Sequence, residues 1–402
     1  KFLGGGLDPP PTESIGKAAR ILTTVGLLDE FDGSLTELGK FISLMPTMDS
    51  KHGKLLIYSI IFGVADMGIL LASILSAGTM PFVGGFENKD KIKRLLSKYE
   101  NKGDLIAVCE IFQQYLSIKG ESARNKFIKE NLLSYNKVKE ILSSQTQYQS
   151  ILKDVGFLPF KKDEKLSAYL NRNCDNYDIV RAVITGAFYP QVARVQLPDA
   201  KYLKTSMGAI EKDPELSAIK LWIRNEEYID QLLNPKETGH ENKPLPATRA
   251  FLHPSSVLFK GNNLSAEETR ALVEDEQPML RQSNTNPLLR NPFIAFNSAH
   301  VTSKLYLREV TPISALSLLL VGGPLSYDVN EKEHSYGIIV DNWLPIRTWC
   351  KNAVLIKELR TLLDQAIKDK LENPRYVVVN SNQPQTRADQ VLKLVEDIFS
   401  LE

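Results

Sequence analysis

The stretch FIAFNSAHVTSKLYLREVTPIS, residues 293–314, decides the fold because it carries the longest β-rich signal in the chain. β-Branched and aromatic residues recur along it, which is typical of strands. Near its middle, Thr302, Ser303 and Lys304 form a cluster of two hydroxyls and a cation beside a strand. On the residues alone this cluster is either a phosphate contact or the polar end of a hairpin.

Shorter β-rich runs lie on both sides of this stretch. They are QVARVQL (191–197), AIKLWI (218–223), AFLHPSSVLF (250–259) and GIIVDNWLPI (337–346). Several short strands broken by Gly, Pro and Asn predict a small barrel or a sandwich. The polar, Pro-containing residues 224–247 interrupt these strands and predict a surface insertion.

Toward the N-terminus, residues 49–185 predict an almost wholly helical bundle with short connections. The amphipathic runs are 53–62, 66–77, 89–99, 103–118, 121–131, 134–154 and 176–187. The apolar stretch 55–75 approaches the length of a membrane span, but Asp66 lies at its middle between Gly63 and Gly68. Two short buried helices, with Asp66 as a cap near the second N-terminus, explain the stretch better.

Both ends of the chain also carry secondary-structure signals. Pro9, Pro10 and Pro11 precede a helical pattern capped by Thr12, and residues 27–46 predict two short strands around an Asp-Gly turn and then a helix. Helix, two-stranded wing and helix together are a winged-helix pattern. At the other end, 348–374 and 387–400 predict helices.

Composition limits the function classes. The 402 residues predict two to four domains, and 49 Lys+Arg against 48 Asp+Glu give a net charge of +1. This balance excludes a strongly basic nucleic-acid coat but leaves room for a local basic groove. The three cysteines are widely spaced, which suggests reduced thiols, and the five histidines form no zinc motif.

The sequence lacks the common catalytic and nucleotide-binding motifs. It contains no G-x-x-x-x-G-K-[ST] loop, no G-x-S-x-G elbow and no D-E-A-H box. The residues therefore predict no catalytic group and no metal in this chain, and we expect no enzyme activity from it alone.

Five segments in order resemble the C-terminal region of DEAH-box and RNA-helicase-A-like ATP-dependent RNA helicases. They are FLGGGLDPPP through ISLMP (2–46), KHGKLLIYSIIFGVADMGILLASILSAGTMPF (51–82), NYDIVRAVITGAFYPQVARV (176–195), HPSSVLF with FNSAHVTSKLYLREVTPIS (253–259 and 296–314), and DNWLPIRTWCKNAVLIKELRTLLDQAI (341–367). The last is similar to the RNA-helicase-A-like branch. Residues 209–247 depart from the family, which often has a shorter segment there.

The resemblance implies a multidomain α+β chain. Its expected parts are a winged helix (1–48, with its beginning missing), a helical ratchet-like domain (49–187), a small β-barrel with the oligonucleotide/oligosaccharide-binding (OB) fold (188–340, with an insertion around 209–247) and a C-terminal helical extension (341–402).

The resemblance also implies a function: the accessory, regulatory RNA-channel half of a 3′-to-5′ RNA helicase, which guides single-stranded RNA and docks regulators. The ATP and Mg²⁺ of such an enzyme would bind motor domains that this chain lacks. A protein platform for a helicase activator or a ribosome-associated partner is the alternative function. We expect a monomer with no membrane segment, in the cytoplasm or the nucleus.

The RNA-contact candidates follow from the same resemblance. They are His253, Ser255, Ser256, Lys260, Thr302, Ser303, Lys304, Arg194, Arg308, Arg172 and Arg181. For each a structural role competes: residues 253–256 also suit a barrel corner, and the arginines also suit ion pairs. Aromatic residues such as Tyr189, Phe296 and Tyr306 are expected mostly in the barrel core.

Overall fold

The computed structural model describes residues 9–45, 49–78, 80–161, 163–199, 201–205, 208–212, 218–233, 245–259, 287–330, 335–372 and 386–401. The helices are α1 (Thr12–Thr24), α2 (Glu37–Ser43), α3 (Ser50–Ile61), α4 (Ala65–Ser76), α5 (Lys89–Ser97), α6 (Asp104–Ser117), α7 (Glu121–Glu130), α8 (Tyr135–Asp154), α9 (Glu164–Leu170), α10 (Tyr177–Phe188), α11 (Glu226–Leu233), α12 (Ala315–Val321), α13 (Cys350–Glu372) and α14 (Arg387–Phe399). The strands are β1 (Val192–Gln196), β2 (Lys201–Thr205), β3 (Gly208–Lys212), β4 (Lys220–Arg224), β5 (Ala247–Leu252), β6 (Phe293–Val301), β7 (Leu305–Ile313), β8 (Leu325–Asn330), β9 (Ser335–Val340) and β10 (Leu344–Arg347).

The helical run from α3 to α10 confirms the predicted helices to within a few residues and adds α9. The break between α3 and α4 lies at Gly63, whose φ is +70°. The backbone N–H of Asp66 donates to Oδ1 of Asn171 at 2.8 Å. Asn171 therefore satisfies a free donor of the α4 N-terminus, and the prediction that Asp66 itself caps the helix was wrong. Among the residues that the structure describes, no helix is long and apolar enough to cross a membrane.

Five strands form a closed barrel in the order β1-β4-β5-β7-β6. All neighbours are antiparallel except β5 and β7, which run parallel with Phe251 opposite Tyr306. This is the five-stranded Greek-key arrangement of an OB fold. The predicted run 250–259 ends as a strand at Leu252, and a turn follows it.

A three-stranded sheet, β8-β9-β10, follows the barrel. The sequence predicted β structure at 337–346 but placed it with the barrel. The expected boundary between residues 340 and 341 lies in the turn between β9 and β10, where Asp341 and Asn342 both adopt positive φ.

A buried network fastens this turn to the barrel. The Tyr189 hydroxyl donates to Oδ2 of Asp341 at 2.7 Å, and Arg224 of β4 pairs with the same carboxylate and with Glu226. Because Arg224 and Asp341 are both buried, each charge offsets the desolvation cost of the other.

The N-terminal unit contains α1, α2 and, between them, one bridge from Leu28 to Leu35 instead of the two-stranded wing that was predicted. Thr36 caps α2 by accepting from the backbone N–H of Gly39 at 3.0 Å. The winged-helix assignment stays a prediction. At the C-terminus, α13 and α14 pack together and fit the predicted helices 348–374 and 387–400.

Candidate nucleic-acid interface

The outer face of the barrel carries cations and aromatic rings in adjacent positions. Arg194 of β1 lies opposite Trp222 of β4, and Trp222 lies opposite Arg249 of β5. On β1 the residues next to Arg194 in sequence, Ala193 and Val195, are buried while Arg194 is exposed. The two-residue period of a strand therefore directs this row of side chains away from the core.

The row continues along β5 and β7. The guanidinium carbon of Arg249 lies 5.8 Å from the ring centroid of Trp222 and 4.9 Å from that of Phe251. Phe251 also lies 4.5 Å from Nζ of Lys304, and 6.3 Å separates its ring centroid from that of Tyr306. These distances are those of cation–π and aromatic pairs, so cations and rings alternate without a break.

We call the set Arg194, Trp222, Arg249, Phe251, Lys304 and Tyr306 the cation–ring strip. It crosses the outer face of β4 and β5, which are the second and third strands of the barrel in chain order. In OB folds, this face and the loops after the first and fourth strands bind oligonucleotides. The loop after the fourth barrel strand is residues 302–304, so the strip and the predicted cluster meet at Lys304.

The loop 302–304 is exposed at all three residues. The backbone N–H of Thr302 donates to the carbonyl of Lys304 at 3.0 Å and closes the turn between β6 and β7. The sequence allowed two interpretations of this cluster, a hairpin end or a phosphate contact. The structure is compatible with both, because the hairpin turn leaves the two hydroxyls and the ammonium group on the surface.

The turn after β5 places His253 between two partners. Nε2 of His253 lies 2.9 Å from Nη2 of Arg308, and Nδ1 lies 2.7 Å from Oγ of Ser255. A guanidinium only donates, so Nε2 accepts in the neutral ring, while Nδ1 faces both the hydroxyl of Ser255 and its backbone N–H, which lies 3.2 Å away. Burial, followed by the charge of Arg308, lowers the pKa of His253, which favours this neutral form.

Ser256 does not reach the surface, and its prediction as a phosphate contact was wrong. Its side chain is buried, and its hydroxyl donates to Oδ1 of Asp104 at 3.1 Å. Asp104, at the start of α6, also accepts from the backbone N–H groups of Val257 at 2.8 Å and Val310 at 2.9 Å. Burial raises the pKa of Asp104 to about 6, and the three hydrogen bonds oppose that rise.

Two predicted arginines lie in structural contacts away from the strip. Arg172 pairs with Glu396 of α14, donates to the carbonyls of Tyr169 and Ile61, and stacks over the Tyr169 ring at 4.4 Å. These bonds hold the segment between α9 and α10 against α14. They also occupy the guanidinium donors that a phosphate would need.

Arg181 is also occupied. It pairs with Asp178 at 2.7 Å and donates to the carbonyl of Asn101 at 2.6 Å. Its side chain therefore links α10 to the loop before α6. Lys260, another candidate, lies outside the described residues, and so do residues 234–244 of the polar segment 224–247.

Sequence reasoning missed three members of the strip: Trp222, Arg249 and Phe251. It also assigned Tyr306 to the core, whereas this residue is half-buried on the outer face. The alternation of Arg249, Ala250 and Phe251 could have predicted the outer face of β5. Ala250 is small and apolar and suits the barrel interior, so its two neighbours must point outward.

Within the same described residues, no group of three or more His, Cys, Asp or Glu side chains is placed to hold a metal ion. The cations and rings of the strip can make ionic and stacking contacts.

Comparison with known protein families agrees with this geometry. Residues 180–325 match the model of the oligonucleotide/oligosaccharide-binding (OB)-fold, and residues 337–398 match the model of the C-terminal domain in RNA helicases. The chain is 57% identical over its whole length to the putative ATP-dependent RNA helicase YLR419W of Saccharomyces cerevisiae, of which it covers 28%.

The chain is a C-terminal region of the DEAH-box RNA helicase family. More distant members show the same coverage. The putative ATP-dependent RNA helicase DHX57 of Mus musculus is 26% identical over 97% of the chain, and the ATP-dependent DNA/RNA helicase DHX36 of Bos taurus is 25% identical over 94%. The chain spans 26% and 31% of these two helicases.

Proposed function

We propose that this chain is the RNA-channel region of an ATP-dependent 3′-to-5′ RNA helicase and that single-stranded RNA runs along the cation–ring strip. The observation that carries the proposal is the uninterrupted alternation of cations and rings from Arg194 to Lys304. In the whole protein, motor domains would bind ATP and Mg²⁺ and move the strand.

The chemistry of the strip fits single strands better than a duplex. Bases of a single strand are free to stack on aromatic rings, and each such stack contributes about 1–3 kcal/mol whatever the base. The cations between the rings supply positive charge for the backbone phosphates. This combination gives affinity without sequence readout.

One donor on the strip is buried and lacks a partner. Nη1 of Arg249 is inaccessible to solvent and has no hydrogen-bond partner among the described residues, while its Nη2 donates to the carbonyl of Ile219 at 3.3 Å. An unsatisfied guanidinium nitrogen is costly to bury, and because this one is closed to solvent, a phosphate oxygen could reach it only after the Arg249 side chain turned outward.

The proposal is tested by fluorescence anisotropy of a labelled oligouridine with the 402-residue chain at increasing salt. Four cations, Arg194, Arg249, Lys304 and Arg308, predict a slope of log K against log salt of about −3. Lys304→Gln is expected to weaken binding and to reduce that slope by about 0.7. The matched control is Lys126→Gln on α7, whose side chain is 76% exposed and far in sequence from the strip.

Binding that does not depend on salt, or equal weakening by both lysine variants, would contradict the proposal. In the full-length helicase, the same Lys304→Gln change is expected to lower RNA-stimulated ATP turnover and to leave the RNA-independent turnover unchanged.

Docking of a protein activator or a ribosome-associated partner stays a prediction, as do the monomeric state and the cytoplasmic or nuclear location. Two features motivated the docking hypothesis, the insertion 224–247 and the C-terminal helices, and residues 234–244 of the insertion lie outside the described residues.

A further inference from the structure

A cavity of about 330 Å³ lies where the barrel meets the β8-β9-β10 sheet. This volume reaches the lower limit of small-molecule sites, about 300 Å³. The barrel contributes Arg194, Gln196, Trp222 and the segment 245–247, and the sheet contributes Trp343, Leu344 and Pro345. The cavity thus joins the two regions that match different family models.

The walls are apolar and aromatic, with two polar groups that remain available. The indole N–H of Trp222 donates to Oε1 of Gln196 at 2.7 Å, so the amide nitrogen of Gln196 keeps its donors. The side chain of Arg194 is exposed and forms no ion pair or hydrogen bond with any residue in the described ranges. A flat apolar ligand with acceptors at its edge and a nearby negative charge matches this set.

We propose that the cavity holds one base of the single-stranded RNA, stacked on Trp222, with the adjoining phosphate on Arg194 and a base acceptor on the amide of Gln196. This inference rests on the proposed function and adds a defined subsite to it.

Continuity with the cation–ring strip favours RNA over a peptide as the occupant. Trp222 belongs to both, because its ring lines the cavity and lies 5.8 Å from the Arg249 guanidinium. A strand that stacks along Phe251 and Trp222 therefore reaches the cavity at Trp222 itself. The charge also agrees, since a cation and an amide donor stand at the cavity and the described residues of its lining include no carboxylate.

The buried network behind the cavity keeps the two sides together. Arg224 is two residues from Trp222 and pairs with Asp341, which is two residues from Trp343. Because both charges are buried, separation of the sheet from the barrel would leave each of them unpaired. The subsite is consequently formed before RNA arrives.

The test is RNA affinity of the 402-residue chain carrying Trp222→Ala, Trp222→Phe or Arg194→Gln, with a labelled oligouridine and a labelled oligoadenosine as probes. Trp222→Ala is expected to weaken both probes about tenfold or more, with an unchanged salt slope, because it removes stacking. Trp222→Phe is expected to restore most of the affinity because it keeps a ring. Arg194→Gln is expected to weaken binding and to lower the salt slope by about 0.7, because it removes a phosphate contact.

The matched control is Trp349→Ala, which removes a tryptophan that is 82% exposed and outside the cavity lining. Photocrosslinking with a 4-thiouridine oligonucleotide, followed by peptide mapping, is expected to mark the peptides of Trp222 or Trp343. Circular dichroism verifies that each variant remains folded, and the exposed Arg194 gives a variant that does not disturb packing.

The outcomes separate the two proposals. If the unmodified chain shows no salt-dependent RNA binding, both the proposed function and the subsite are wrong. If the unmodified chain binds RNA and Lys304→Gln weakens that binding, but Trp222→Ala and Arg194→Gln bind as tightly as the unmodified chain, then the subsite is wrong. The RNA path along the strip is in that case limited to Arg249, Phe251 and Lys304, and the cavity is left for another ligand such as a peptide.

Discussion

Lys54 allows a quantitative test of the packing between α3 and its neighbours. Its side chain is 6% exposed, and Nζ donates to the carbonyl of Val25 at 2.9 Å. Burial, followed by the charge of Arg360, lowers the pKa of Lys54 from 10.5 to about 7, while the charge of Asp364 partly opposes both. The ammonium form is therefore disfavoured inside the fold.

The sign and size of the effect follow from linkage. The unfolded chain holds the Lys54 proton up to its pKa of 10.5, whereas the folded chain releases it near 7. Between these values the unfolded state binds more protons, so the free energy of unfolding rises with pH. The difference of about 3.5 pH units corresponds to roughly 4–5 kcal/mol, about 4 of which separate pH 7 from the fully deprotonated plateau.

The substitution Lys54→Met removes the titrating group and keeps a long apolar stem. We expect it to raise the free energy of unfolding at pH 7 by about 3 kcal/mol, after about 1 kcal/mol is subtracted for the lost hydrogen bond to Val25. The gain should shrink as pH rises, because the unmodified protein recovers stability when Lys54 deprotonates.

Urea unfolding between about pH 7 and about pH 9.5 measures this difference. The range stays below the pKa of Tyr58, which burial raises to about 12, and other groups cancel between the two proteins. Lys368→Met, at a side chain that is 58% exposed, is the matched control and should run parallel to the unmodified protein. Parallel curves for Lys54→Met as well would refute the reasoning, since Lys54 would then titrate alike in both states.

Two further predictions concern buried charges that the sequence did not reveal. Arg172→Met leaves the carboxylate of Glu396 unpaired at 10% side-chain exposure, so thermal unfolding should show that the free energy of unfolding falls by about 3 kcal/mol. The double variant Arg172→Met with Glu396→Gln should recover most of this loss, because it removes the unpaired charge. RNA affinity measured well below the melting temperature should stay unchanged, and a selective loss of affinity would return Arg172 to the RNA-contact residues. Asp104→Asn replaces one of the two accepting carboxylate oxygens with an NH₂ group that faces a donor, so calorimetry should show that the free energy of unfolding falls by about 1–3 kcal/mol. An unchanged melting temperature would contradict the three hydrogen bonds that Asp104 accepts.

The helices and the loop 302–304 were predictable because their signals are local. Helical periodicity placed α3 to α8 and α10 within a few residues, and the hydroxyls and cation of 302–304 stand at the end of a β-rich run. The helix α9 is only seven residues long, which gives a periodic pattern little length to appear in.

Residues that meet across long separations were not predictable from one sequence. Ser256 looks like a surface hydroxyl until Asp104, 152 residues away, is placed against it. Trp222 and Arg249 lie on strands separated by residues 225–246, and their pairing is visible only once β4 and β5 are adjacent. Arg172 and Glu396 are 224 residues apart. In each case the side-chain type permits both a buried and an exposed role, and tertiary contact decides between them.

Asp104 explains why the barrel face cannot be treated as independent of the helices. Its carboxylate accepts from Ser256 and Val257 in the turn after β5, and from Val310 two residues beyond Arg308. The turn and strand that hold His253 and Arg308 together are thus attached to the first residue of α6. A movement of α6 relative to the barrel would expose three donors and a buried carboxylate at once, so the turn must move with the helix. The position of Arg308 beside the strip is therefore set by the helical bundle as much as by the barrel strand that carries it.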